Sequence, residues 1–276
     1  MAVKAMVRVY DTEDITMGFA EIDGLTIHYE APRGLAAPVG QRVLYVHGTG
    51  CNTKVWTSHM TSLAEAHIPV AIDLPGHGQS GGGGFRGMAD YTHYVMGLAD
   101  ALDWDQFVLA GHSMGGGVAL TAALYDPERL KALMLIDTGA RLHVAPAIIQ
   151  AARRAAQSGQ RNAPDRTVGY AASTPQSVAQ AVYDMTADTR LEVTYKDWIC
   201  DDMFDALARV KDIDLPTLAV CGDEDNLTPL RNHKFFRDQM PNCELQIIPQ
   251  AGHWPFLEQP ETFTGVVEDF LDRLPS

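Results

Sequence analysis

Residues 107–125, FVLAGHSMGGGVALTAALY, constrain the fold more than any other stretch of this chain. An apolar run of strand type passes through a single serine into a glycine cluster, then into a helix-like sequence. Ser113 stands between Gly111 and Gly115, with Gly116 and Gly117 following. A plain loop needs fewer glycines and rarely follows so apolar a run. A sharp strand-to-helix turn explains both, because strain at the turn demands flanking residues without side chains. Gly116 and Gly117 then let the helix pack closely on a sheet. Such a turn lifts the Ser113 hydroxyl above the sheet edge, over a helix N-terminus that favours developing negative charge. Ser113 therefore reads as a candidate nucleophile rather than a turn former.

The surrounding pattern says what kind of sheet this is. After a hairpin, GFAEI-DG-LTIHYE, with Asp23-Gly24 as a tight two-residue turn, short β-branched runs alternate with helical stretches. Strands are expected at 42–48, 69–76, 107–113, 131–139, 216–225 and 244–249, with helices at 54–66, 88–102, 114–125, 229–239 and 260–273. Near-continuous apolar strands separated by helices indicate a mostly parallel sheet covered on both faces. One gap is too long for a crossover: about 75 residues separate Gly139 from Pro216, where a dozen or so suffice. This gap reads as an inserted helical cap over 140–212, leaving 1–139 and 213–276 as the core domain. In its last helix Leu191, Tyr195, Trp198, Ile199, Met203 and Leu207 share one face. That stripe is expected mainly to pack on the core, with Tyr195, Trp198 and Met203 able to roof a substrate cleft.

A serine hydroxyl is a poor nucleophile until a base takes its proton, and the base must be oriented by an acid. His253, in QAGHWPFLEQP, sits in a loop just after the last strand and is the candidate base. The other nine histidines fit worse: His47 and His77 occupy glycine-bounded turns, and His112, beside Ser113 on a sharp turn, points its ring elsewhere. For the acid, Asp225 in CGDEDNLTP ends the penultimate strand, while Asp137 in LIDTG ends the strand before it. Asp225 is the candidate, with Asp137 as its competitor.

HGTG, DLPGHGQS, GHSMGG, GDEDNLTP and GHWPFLEQPE occur in an order and spacing that resembles the α/β-hydrolase family over essentially the whole chain. The resemblance implies a mostly parallel eight-stranded sheet flanked by helices, with a helical cap. It implies Ser113 as nucleophile, Asp225 as acid and His253 as base. It also implies an oxyanion hole made by the backbone N–H groups of Met114 and Thr49. Relatives that open epoxides or cleave carbon–halogen bonds carry aspartate where this chain has Ser113. Carbon–carbon hydrolases usually show asparagine before the serine and SGPG in the oxyanion loop; here stand His112 and TGCN. Trp254, a candidate substrate contact, nevertheless echoes that branch. The expected activity is cleavage of a small carboxylic ester or lactone. The alternatives are carbon–carbon hydrolysis of vinylogous diketones and a non-catalytic ligand receptor.

Charge and composition narrow the partners. A net charge of −14, from 35 acids against 21 bases, repels nucleic acid and anionic membrane surfaces, leaving a small-molecule substrate as the expected partner. Cys51, Cys200, Cys221 and Cys243 form no C-x-x-C pair and read as free thiols of a reducing compartment. With no apolar leader in the first 18 residues and no membrane span, the expected location is cytoplasmic. No H-E-x-x-H or Walker loop occurs, and GGGG at 81–84 lacks a dinucleotide pattern, so neither metal nor cofactor is expected. Oligomeric state has no signature in the sequence.

Overall fold

Near-continuous burial along the central strands builds the molecule around a single sheet. The computed structural model describes residues 8–11, 15–32 and 40–275; most of the N-terminal stretch read for a leader lies outside them. Nine strands appear among the described residues: β1 Arg8–Asp11, β2 Ile15–Ile22, β3 Leu25–Pro32, β4 Arg42–Val46, β5 Ile68–Ile72, β6 Phe107–His112, β7 Leu130–Ile136, β8 Thr217–Gly222 and β9 Cys243–Ile248. Their order is β1-β2-β3-β5-β4-β6-β7-β8-β9. Strands β4 to β9 run parallel, and β1, β2 and β3 extend the sheet by antiparallel pairing. The expected eight strands are β2 to β9, and β1 is an addition that the sequence pattern did not announce. Asp23 (φ 44°) and Gly24 (φ 81°) make the hairpin turn with both central residues at positive φ, which suits the twist of the two strands.

Because side chains alternate across a strand, each central strand feeds two cores. Leu44, Val46, Leu109, Leu133 and Leu135 face one side, where α2 (Met88–Ala101), α3 (Met114–Tyr125) and α7 (Leu230–Gln239) supply Tyr91, Val95, Val118 and Phe236. Val43, Tyr45, Val108, Met134 and Val220 face the other, covered by Met60 and Leu63 of α1 (Thr57–Leu63) and by Phe263 and Val267 of α9 (Pro260–Asp272). A short helix, α8 (Pro255–Glu258), precedes α9. With both faces buried, the strands can be apolar throughout, as their sequences are.

Between β7 and β8 lie three helices: α4 (Pro146–Ser158), α5 (Gln176–Met185) and α6 (Leu191–Met203). A bridge between Arg141 and Asp205, and the Ala206 N–H donating to the Ala140 carbonyl at 2.7 Å, close the neck of this excursion. None of the described helices is long and apolar enough to cross a membrane.

Candidate active site

The glycine cluster of β6–α3 has a steric reason. A Cβ on Gly111 would lie 2.1 Å from the Gly115 carbonyl oxygen, and one on Gly115 would lie 2.4 Å from that of Val46. Strand and helix therefore meet at distances only glycine allows. Between them Ser113 adopts φ 53°, ψ −118°, a strained conformation costing about 1–3 kcal/mol. Its carbonyl accepts from the Thr138 hydroxyl at 2.7 Å, and its N–H donates to the Ile136 carbonyl at 3.0 Å. The turn is thus locked to the next strand on both sides. Met114 opens α3, so its N–H lies outside the intrahelical ladder.

Asp225 and His253 meet in the loops that follow β8 and β9. His253 Nδ1 is 2.9 Å from Asp225 Oδ2, with both side chains buried. The carboxylate is saturated: Oδ1 accepts from the N–H groups of Leu227 (2.7 Å) and Thr228 (3.1 Å), and Oδ2 also accepts from the Thr228 hydroxyl (2.6 Å). Burial pushes the Asp225 pKa up, but its electrostatic pairing with His253 and these hydrogen bonds outweigh it, and the net shift is downward. Because Asp225 accepts at Nδ1, the imidazole is oriented with that proton in place and Nε2 available.

Asp137, the competing acid, lies close by but is engaged elsewhere. Its Oδ1 accepts from the Gly222 N–H at 2.9 Å. Burial and the Asp225 charge hold its pKa well above the usual carboxylate range. Ligand-type atoms of Asp137, Asp225 and His253 lie within 4.8 Å of one another, the one such grouping among the described residues with metal-ligand potential. Two of its three members are already bonded to each other.

Two braces escaped the sequence reading. His112 does turn its ring away from the serine, but toward the His253 backbone: Nε2 donates to the His253 carbonyl at 2.8 Å. Burial, followed by the charge on His253, drives its pKa well down, so the ring is neutral. Glu258 accepts from the N–H groups of Gly252 and Trp254, each at 3.0 Å, and so clamps the loop on either side of His253. Its other oxygen takes the Ala171 N–H (2.9 Å) and the Thr174 hydroxyl from the segment between α4 and α5. EQP in the motif carried this signal, though nothing local distinguishes a clamp from a helix-start acid.

Two cavities meet at Ser113, His253, Trp198 and Leu227. The larger, about 700 Å³, runs along Leu142, Val144, Ile148 and Phe235 and includes Asp201. The smaller, about 290 Å³, is lined by Thr49, Tyr170, Val182 and Trp254 among others. Of the expected contacts, Trp254 and Trp198 line a cavity; Tyr195 and Met203 line neither. Met203 is five positions beyond Trp198, roughly 140° round the helix, and is 71% exposed. The face of α6 that turns inward carries Val193, Asp197, Cys200 and Asp201, so carboxylates replace part of the expected apolar stripe.

Comparisons agree with this architecture. The solved structure of a thermophilic esterase superposes with a TM-score of 0.79 at 30% identity, covering 97% of this chain and 98% of the other. The enol-lactonase from Burkholderia xenovorans gives a TM-score of 0.82 over 92% of this chain and 100% of its own, but at 20% identity shows the fold alone. Among curated sequences, the 2-hydroxymuconate semialdehyde hydrolase of a Pseudomonas species is 26% identical over 84% of this chain and 87% of its own. The model of the alpha/beta hydrolase family matches residues 43–266, most of the chain. With that match laid over the nine-stranded sheet and the Ser113 turn, the chain belongs to the alpha/beta hydrolase family.

Proposed function

We propose that this protein is a serine hydrolase that cleaves a small carboxylic ester or lactone through an acyl-enzyme, with a small-molecule substrate as its partner. The observation that carries the reading is the 2.9 Å bond from His253 Nδ1 to Asp225 beside the strained Ser113 turn. Ser113 Oγ attacks the substrate carbonyl while His253 Nε2 takes its proton. The oxyanion that forms is stabilised by the N–H groups of Met114 and Thr49, each such donor contributing roughly 3 kcal/mol. His253 then returns its proton to the leaving oxygen, the C–O bond breaks and the alcohol departs. In a lactone the same oxygen stays tethered. Water, deprotonated by His253, attacks the acyl-enzyme, and the acid leaves as Ser113 regains its proton. These steps balance with side chains and water alone.

Two cavities meeting at Ser113 suit a substrate with two arms, one on the acyl and one on the alcohol side. A second reading, carbon–carbon hydrolysis, is supported by Trp254 against the smaller cavity and by relatives named as hydrolases of 2-hydroxymuconate semialdehyde and 2-hydroxy-6-oxo-2,4-heptadienoate. A fluorophosphonate probe should label Ser113, and Ser113→Ala should lose label and turnover by several orders of magnitude with its Tm nearly unchanged. Activity retained within about tenfold in Ser113→Ala would remove the nucleophile assignment. Rates on a panel of esters, lactones and one vinylogous diketone then separate the two readings.

A further inference from the structure

The loop from Gly48 to Asn52 carries the Thr49 N–H, and its two flanking peptides are gripped from different directions. A trans peptide points its carbonyl and its N–H to opposite sides. The Gly48 carbonyl, which shares a peptide plane with the Thr49 N–H, accepts from the Cys51 N–H at 3.1 Å and from His47 Nδ1 at 2.9 Å. His47 Nε2 accepts from the Leu74 N–H at 3.1 Å, so the ring proton sits on Nδ1. Burial, with the nearby His77 adding to it, lowers the His47 pKa to about 4, and the ring stays neutral. The core therefore aims one side of this plane.

The other side of Thr49 is held by the insertion. The Gly50 N–H donates to Asp197 Oδ2 at 2.9 Å, and the Thr49 hydroxyl donates to Asp201 Oδ2 at 2.6 Å. Both acids belong to α6, four residues apart and hence on one face. They are 0% and 3% exposed. Asp197 also accepts from the Tyr91 hydroxyl of α2 at 2.6 Å and from His77 Nε2 at 2.7 Å, so three separate parts of the core converge on it. Gly50 itself has φ +66°, and a Cβ there would lie 2.9 Å from the Thr194 side chain, so α6 rests directly on the loop.

We infer that Asp197 and Asp201 are positioning residues: helix α6 of the insertion completes the oxyanion hole by holding the Thr49–Gly50 backbone. The inference rests on the serine-hydrolase reading above. Asp201 Oδ1 has no hydrogen-bond partner among the described residues, and Asp201 lines the larger cavity together with Ser113. Burying a second acid one helical turn from Asp197 is costly, and a leucine would fill the same space. Holding the Thr49 hydroxyl is what a leucine cannot do. The insertion is then part of the machinery that stabilises charge, in contrast to the expectation that its last helix mainly packs on the core and roofs a substrate cleft.

The test compares Thr49→Val, Asp201→Leu, their double variant and Asp201→Asn, using p-nitrophenyl acetate and a trifluoromethyl ketone that forms a hemiketal oxyanion. Asp201→Asn keeps an acceptor for the Thr49 hydroxyl. Expected is a fall in kcat of roughly 10- to 100-fold for Thr49→Val and Asp201→Leu, with KM changed by less than about threefold. Trifluoromethyl ketone affinity should fall in parallel. The double variant should be no worse than the poorer single, since both remove one bond, and Asp201→Asn should stay within about threefold of wild type. Multiplying losses in the double variant, a change confined to KM, or Asp201→Asn as poor as Asp201→Leu would each overturn the inference. Should Asp201→Leu fail to fold, Thr49→Val decides: unchanged kcat in a protein of native Tm overturns it. Fluorophosphonate labelling of wild-type Ser113 keeps the two readings apart. No labelling defeats the hydrolase reading, whereas labelling with an unaffected Thr49→Val defeats only the role of α6.

Discussion

Asp225→Asn is a demanding test of the proton relay, because the structure dictates how the new amide must sit. Asp225 Oδ1 accepts from two backbone donors, the N–H groups of Leu227 and Thr228. An amide nitrogen placed there would face two N–H groups, so the asparagine oxygen takes the Oδ1 position. Its NH2 must then occupy the Oδ2 position, 2.9 Å from His253 Nδ1. A donor at that point makes Nδ1 an acceptor and moves the ring proton to Nε2, where the base is needed. The imidazole keeps its place and loses its function. Removing the orienting carboxylate in this way lowers kcat by roughly 10⁴-fold in enzymes with the relay proposed above, which is about 5.4 kcal/mol of barrier at ~1.36 kcal/mol per decade. Neighbouring Asp137 does not substitute, because its Oδ1 is committed to the Gly222 N–H and burial disfavours its charged form. The assay is steady-state hydrolysis of p-nitrophenyl acetate with Tm recorded for each variant. Asp137→Asn should stay within about threefold of wild-type kcat. A larger loss in Asp137→Asn than in Asp225→Asn would refute the reasoning by showing that the strand β7 acid orients the base.

The stability of the same pair should also respond to pH. The folded-state pKa of Asp137 is raised, so its contribution is most favourable below the unfolded value near ~3.9 and is lost as pH rises toward the folded value. Asp137→Asn should therefore gain Tm relative to wild type between pH 5 and pH 8; a difference that does not grow with pH would argue that Asp137 ionises freely. At the junction of the two cavities, Trp198→Ala removes apolar contact worth ~25 cal/mol per Å². A long acyl ester should lose about 1–2 kcal/mol of binding while an acetyl ester loses little. Equal loss for both, at unchanged Tm, would mean that Trp198 acts on the chemical step.

How much of this was legible in the chain follows from the range of each interaction. The β6 turn was readable because part of its cause is local: a Cβ on Gly111 would meet the Gly115 backbone of the same turn, although the crowding at Gly115 comes from Val46 and His47 on the neighbouring strand. The covered parallel sheet was readable from unbroken apolar strands, and the positions of Asp225 and His253 from the strand ends that precede them. Strand β1 was not, since four residues carry little periodicity and this one gains its place by pairing with β2.

The remainder was decided by tertiary structure. Asp137 and Asp225 both follow strand ends, and only the packing shows that Asp225 bonds His253 and is saturated with donors while Asp137 is buried with its pKa raised. His112 looked idle because its partner, the His253 carbonyl, is 141 residues away. The inward face of α6 was misjudged for the same reason. An apolar stripe reports where apolar side chains lie along the helix, not which face folding turns inward, and Met203 is left 71% exposed. Yet Asp197 and Asp201 turn inward because Gly50, His77, Tyr91 and Thr49 present donors there. A buried carboxylate is stable only where folding supplies its partners, and no pattern within α6 records partners that lie more than a hundred residues away.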